Sequence, residues 1–224
     1  YREVVNLLGG DYYVHYRAKE GETGTERMRG VGGLIDYHNT GYHDWYGGWA
    51  QAEYATKAFS VILSGARSVS RYQRQEQYNE NEADEFSKVL IFPGSALKLG
   101  LNYNVNDNIN VFFAGGQMEK APKFSNAYLS YSNVPNTSAK NEKITSMDFG
   151  VSYRSQLIDV SATYYMNTWE DKAIVIYDAP DIYNIPGLSA NHSGLEIESK
   201  IRPMDLLSIA VSYTHLTLPT NREV

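Results

Sequence analysis

Four of the five histidines, two of them beside carboxylates, are the first residues to weigh for chemistry. His38 and His43 lie near Asp36 and Asp44, and His15 and His192 stand apart. Imidazole and carboxylate are metal-ligating types, but the spacing matches neither a closed nor a catalytic zinc pattern, so no metal site is expected. With no cysteine, thiolate metal sites, disulfide scaffolds and cysteine nucleophiles are excluded together. There is no Gly-x-Ser-x-Gly elbow, and Gly30-Val31-Gly32-Gly33 lacks the helix that a dinucleotide fingerprint must open. Glu196 and Glu198 alternate with Lys200 and Arg202 at period 2, which suits charge pairing on a solvated strand face better than a two-carboxylate glycosidase. No catalytic residue and no cofactor is assigned, and an enzyme is not expected. The ligand-binding candidates are aromatic: Tyr128, Tyr131, Tyr177 and Tyr183, in or beside long polar segments. Rings on loops carried by a rigid scaffold hold planar or amphipathic ligands; the alternative is that they pack loop against loop.

The elements that must carry those loops are strands. In LKLGLNYNVNDNINVFFAG, Leu97, Leu99, Leu101, Tyr103 and Val105 fall on one side of an extended chain, and Lys98, Gly100, Asn102 and Asn104 on the other. Asn106-Asp107-Asn108 suits a tight turn, and Ile109, Val111 and Phe113 resume the apolar side, giving a hairpin. The same pattern recurs across Ser155-Gln156-Leu157, with Met147, Phe149, Val151 and Tyr153 before it and Ile158, Val160, Ala162 and Tyr164 after it. It recurs again across Pro203-Met204-Asp205. Trp45 to Lys57 and Phe59 to Tyr72 form a further pair, joined near Ala58. Between hairpins lie long polar or charged segments: Gln73 to Lys88, Gly116 to Lys143 and Asp178 to Ser193.

Short turns therefore alternate with long loops. A sandwich has no reason to place every long connection at one end, whereas an outer-membrane barrel has short periplasmic turns and long extracellular loops. Alternation alone leaves open whether the apolar side meets lipid or a protein core. Tyr46, Trp49, Tyr54, Tyr103, Tyr153 and Tyr164 sit where headgroup-level girdles would form. Tyr1 to Leu8 spaces Val4, Val5, Leu7 and Leu8 at helical intervals before Gly9-Gly10, which predicts a short amphipathic helix. Asp11 to Lys19 and Met28 to His38 are weaker strand candidates.

The composition agrees with this class. No run approaches the roughly 18 apolar residues of a spanning helix, but a spanning strand needs only about 9–11 residues, half of them facing inward. A formal net charge of −6 provides no basic stripe for tracking phosphates, so nucleic acid is not an expected partner.

Four runs carry a family resemblance: LLGGDYYVHY (Leu7 to Tyr16), DYHNTGYHDWYGGWAQAEY (Asp36 to Tyr54), LKLGLNYNVNDNINVFFAGGQMEKAPKF (Leu97 to Phe124) and NEKITSMDFGVSYRSQLIDVSATYYMNTWEDK (Asn141 to Lys172). Together they resemble the β-barrel of TonB-dependent outer-membrane receptors of the Bacteroidetes type. The resemblance implies an all-β, antiparallel transmembrane barrel of 22 strands around a plug, in the cell outer membrane. It also implies energy-coupled uptake of a scarce nutrient, most naturally a ferric siderophore or other iron chelate, driven by a TonB complex that acts through the plug. The implied partners are thus outer-membrane lipid, the TonB complex and a small nutrient ligand. Ala121-Pro122 and the Asn141 to Tyr153 run look like barrel motifs rather than ligand motifs. About ten strands fit this length, so a central-to-late part of a barrel is expected. A passive porin and a soluble β-sandwich binding or adhesion module are the alternatives.

The far end reads differently. VSYTHLTLPT (Val211 to Thr220) resembles a sequencing-library adapter translated in frame, followed by index sequence at Asn221 to Val224. The expected division is a partial receptor barrel over 1–210 and a non-native tail over 211–224, with no functional weight on His215. Pro219 is in any case a poor interior strand residue.

Overall fold

The computed structural model describes residues 1–5, 10–15, 18–19, 21–78, 85–129, 132–178, 181–204, 206–217 and 220–222. Its elements are β1 (Tyr12–Tyr13), a 3-10 turn (Gly24–Arg27), β2 (Met28–Arg29), β3 (Asn39–Ala55), β4 (Phe59–Glu76), β5 (Leu90–Asn104), β6 (Ile109–Lys120), α1 (Phe124–Ala127), β7 (Glu142–Arg154), β8 (Ile158–Asp178), β9 (Asp181–Met204), β10 (Leu207–Leu216) and β11 (Thr220–Arg222). Strands β3 to β10 lie side by side in sequence order as one open sheet, with β11 added on β9. The fold is thus all-β and antiparallel, a partial barrel that does not close. The chain divides into two compact units. One comprises Trp45–Ser70, Phe92–Pro122 and Ser138–Val224; the other comprises Tyr1–Asp44, Arg71–Ile91 and Lys123–Thr137.

In the first unit the register keeps the sequence alternation in phase across six strands. Leu101 pairs with Phe113, Phe113 with Phe149, Phe149 with Tyr164, and Tyr164 with Leu195. One rung towards the turns, Tyr103, Val111, Val151, Ala162, Ile197 and Tyr213 line up in the same way. Most of these apolar side chains are exposed, Phe149 at 66%, as is Leu97 at 59%; this face is uncovered among the described residues and is the one that meets lipid. The opposite face carries Asn102, Phe112, Gly150, Thr163 and Glu196 on one rung and Asn104, Asn110, Ser152, Ser161 and Glu198 on the next. Leu97 to Val105 spans roughly 27 Å along the strand at about 3.4 Å per residue, or about 20 Å of membrane at a tilt near 40°. The apolar height therefore approaches that of an outer-membrane barrel.

The short turns share one construction. Thr56 Oγ1 accepts from the Phe59 N–H (3.0 Å), Asn106 Oδ1 from the Ile109 N–H (2.8 Å) and Ser155 Oγ from the Ile158 N–H (3.0 Å). A short polar side chain thus satisfies the donor three residues on, which is why Thr, Asn and Ser stand there. Each turn also accepts from the strand beyond it: the Asn104 N–H donates to Ala58 C=O (2.7 Å), Arg154 to Asn108 (2.8 Å) and Arg202 to Leu157 (2.8 Å). Tyr54, Tyr103 and Tyr153, all exposed, stand just before these turns, whereas Tyr164 lies in the middle of the apolar band opposite Phe149 and Leu195.

Two expectations are corrected. Tyr1 to Val5 is extended rather than helical: Glu3 bridges Leu34, and the Val4 N–H donates to Gly33 C=O (3.0 Å) while Val4 C=O accepts from the Gly32 N–H (2.7 Å). The β-branched pair Val4-Val5 suits a strand better than a helix, and pairing with 32–37 satisfies its backbone. The rest of the expected helix, residues 6–8, lies outside the described residues. The supposed loop from Asp178 to Ser193 is mostly strand, because β9 begins at Asp181 and pairs with β8 through Ile174↔Ile185 and Ile176↔Tyr183. Beyond the bilayer both faces of a hairpin are wet, so the ladder continues without apolar alternation. At 21 and 24 residues, β8 and β9 are about twice the length a crossing needs. Likewise β4 runs to Glu76 and β6 to Lys120, so the expected loops at Gln73 and Gly116 start later than the sequence suggests.

The assignment of faces makes a prediction. Leu99→Arg in the full-length protein should cost about 2–4 kcal/mol if Leu99 lies near the bilayer midplane, and Asn102→Arg much less. Reversible unfolding in lipid or detergent measures both, and equal losses would show that the faces are misassigned.

Candidate functional site

On the polar face of the sheet, at the end away from the short turns, four side chains from three strands converge. Lys120 ends β6 and pairs across the ladder with Glu142, which begins β7; Ile144, one rung on, faces Trp169 of β8. The Glu142 carboxylate is 2% exposed, lies 3.0 Å from Lys120 Nζ and accepts from Trp169 Nε1 at 3.3 Å. A carboxylate removed from water needs such partners to stay charged. The Lys120 and Lys172 ammonium groups lie over the Trp169 ring, 5.1 Å and 4.2 Å from its centre. The ring's negative face attracts both, an effect worth about 0.5–2 kcal/mol for each cation depending on exposure.

A local irregularity brings Lys172 onto this ring. From Trp169↔Ala190 to Lys172↔Leu188, β8 advances three residues while β9 advances two. The extra residue is a bulge, and Asp171 within it has φ +55°, a left-handed conformation that Asp tolerates better than most side chains. In a regular strand Lys172 would fall on the face opposite Trp169; the bulge puts both on the same face. One step on, from Lys172↔Leu188 to Ile174↔Ile185, β9 advances three and β8 two, with Gly187 at φ +82°, which returns the register of the pair and leaves Ile174 on the face of Lys172.

The other unit holds a buried polar cluster. Arg74, 4% exposed, pairs with Glu76 at 2.8 Å and donates to Asn133 Oδ1 at 3.0 Å. Asn133 Nδ2 donates to Glu85 C=O (2.9 Å), and Glu76 accepts from the Tyr78 N–H (2.9 Å). Tyr128 belongs to this cluster. It is 2% exposed, packs against Phe124 at 5.4 Å between ring centres, and its hydroxyl lies 3.0 Å from Ser87 Oγ and donates to Lys88 C=O at 3.4 Å. Burial raises its phenol above the ordinary tyrosine value, against the opposing effect of Ser87. Tyr128 is thus not the exposed ring the sequence suggests: its hydroxyl and ring tie loop to loop.

The other candidate tyrosines are not brought onto one rung. Tyr131 lies outside the described residues. The register sets Tyr177 opposite Ile182 and Tyr183 opposite Ile176, on successive rungs of the β8–β9 extension. Three of the histidines pack against aromatic rings: His43 edge-on to Tyr72 (4.7 Å), His38 to Tyr1 (5.8 Å) and His15 to Tyr13 (5.0 Å). Among the described residues no group of three or more His, Asp or Glu side chains is placed to hold a metal ion. Sequence reasoning missed Lys120, Glu142, Trp169 and Lys172 as a group. All four lie in the runs that carry the family resemblance, two of them beside the Ala121-Pro122 and Asn141-Glu142-Lys143 motifs, but nothing in a period-2 pattern announces a bulge.

A lipid-facing apolar belt, a polar opposite face, and short turns at one end define an outer-membrane β-barrel protein. Residues 3–223 match the family model described as "TonB dependent receptor-like, beta-barrel". The chain belongs to the TonB-dependent receptor β-barrel family. Among solved structures it is similar to "Copper transporter OprC", with a TM-score of 0.60 and 14% identity over 79% of this chain and 30% of that one. The chain thus spans about a third of the length of that neighbour, and at this identity the likeness is one of fold. No curated protein matches the chain.

The Tyr128 geometry is open to test. Tyr128→Phe keeps the ring and removes the hydroxyl, and should cost about 1 kcal/mol. Limited proteolysis of the full-length receptor should then cut faster within 85–91 and 123–137, with the barrel intact. Unchanged cleavage would mean that the ring alone holds these segments.

Proposed function

We propose that this chain is part of an energy-coupled importer of the outer membrane, which takes up a scarce nutrient, foremost an iron chelate. Membership of the receptor family over residues 3–223 carries this reading. In it the polar face lines the barrel lumen, and the segments at the end away from the short turns face outward and meet the ligand first. A plug and a TonB complex, which the described residues do not include, supply gating and energy. Tyr177 and Tyr183, on the β8–β9 extension, are proposed to contribute ligand contacts there, and Tyr131 with them. The family reading displaces the soluble sandwich and leaves the passive porin as the competitor.

The test is metal accumulation in cells whose sole importer is the full-length receptor. Iron is offered as citrate, catecholate and hydroxamate complexes, and copper in parallel. Iron accumulation that stops when the proton gradient is collapsed or TonB is removed is the expected result. Accumulation that survives both treatments would identify a passive porin, and energy-dependent uptake of copper alone would overturn the iron assignment.

We also propose that residues 211–224 derive from a sequencing adapter. Val211 and Tyr213 continue the apolar face of β10, and pairing with β9 extends to Leu216, so a strand of this register accepts that sequence whatever its origin. A long read of the source DNA should replace VSYTHLTLPT with different codons; the same codons in an uninterrupted frame would refute the proposal.

A further inference from the structure

We infer that Lys172, Trp169 and Lys120 form an anion-selective contact for the incoming ligand, a site for oxygen-rich, negatively charged metal chelates. The inference rests on the import reading and adds the charge class of the substrate and the residues that select it.

The charges in the cluster are unequal. Two ammonium groups stand over one indole, and the single carboxylate, Glu142, is committed to Lys120 and to the indole N–H. Lys172 has the ring as its contact among the described residues, with no carboxylate at ion-pair distance. Glu170, its close neighbour in sequence, is directed to the other face: Glu170 pairs with Lys143, whereas Trp169 pairs with Ile144. The cluster therefore carries one net positive charge on the polar face. Lys120 keeps 43% of its side chain exposed, so the site is reached from water.

The backbone is built to produce this arrangement. A bulge with Asp171 at φ +55° turns Lys172 onto the face of Trp169, and a second, in β9 with Gly187 at φ +82°, returns the register between the two strands. Bulges that re-aim a side chain and non-glycine residues held in left-handed conformations concentrate at functional sites. A purely structural role for the cluster is met by Lys120, Glu142 and Trp169 without Lys172. What Lys172 adds is an ammonium over an aromatic face, a combination that offers an anionic chelate both charge and a flat surface.

Binding to the detergent-solubilised full-length receptor, measured by calorimetry, tests this. The probes are ferric citrate and a ferric tris-catecholate, both anionic, and a neutral ferric tris-hydroxamate. Wild type should bind an anionic probe more tightly than the neutral one. Lys172→Met should weaken anionic binding roughly tenfold, as expected for loss of one charge-assisted contact, with no change for the neutral probe. Lys172→Arg should retain most of the binding, since it keeps the charge. The variant is scored only where its barrel shows the wild-type mobility shift on heating. Equal anionic binding by wild type and Lys172→Met, or a wild-type preference for the neutral probe, would overturn the site. Should Lys172→Met bind normally while energy-dependent iron uptake persists in cells, the site fails and the import reading stands. Absence of uptake by wild type in energised cells removes both.

Discussion

Within a bilayer no water is at hand to satisfy a backbone N–H or C=O, so each must find its partner in the protein. For a chain without an apolar helix-length run, the β ladder is the remaining solution, and the ladder imposes period 2 on everything it carries. From Leu97 to Trp169 the chain obeys without slipping: register errors of one residue would exchange Phe149 with Asp148 and place a carboxylate in lipid. The turn side chains Thr56, Asn106 and Ser155 fix that phase at each hairpin, and the bonds from Asn104, Arg154 and Arg202 hand it to the next pair. The faces of the sheet, and with them the direction in which each charged residue points, follow from these few contacts.

This constraint explains what could be read in advance. Alternation and turn residues are local in sequence, so the hairpins centred on Asn106 to Asn108 and Ser155 to Leu157 were legible, and with them the apolar face; that it meets lipid was legible only through the loop asymmetry and the family resemblance. The extension of β8 and β9 was not, because outside the membrane nothing forces an apolar pattern and a polar strand looks like a loop. The start of the chain was misread for a related reason: Val4 and Val5 fit either a helical stripe or a paired strand, and the partner that decides, residues 32–37, is remote in sequence. For Tyr128 the sequence left ligand contact and loop packing both open, since its burial depends on Ser87, 41 residues away, as well as on Phe124.

The cluster around Trp169 was illegible for the opposite reason: it exists where the period is broken. A strict alternation from Trp169 would leave Lys172 on the face that, lower in the sheet, meets lipid, a costly place for an ammonium unless it lies above the hydrocarbon. The bulge at Asp171 solves that problem and in doing so concentrates positive charge on the polar face, and the second bulge at Gly187 returns the register between the two strands. Below it, the six-strand alternation is untouched. The membrane thus dictates the regular part of the sheet, and the bulges at Asp171 and Gly187 lie beyond it, where the ladder is released from the apolar pattern.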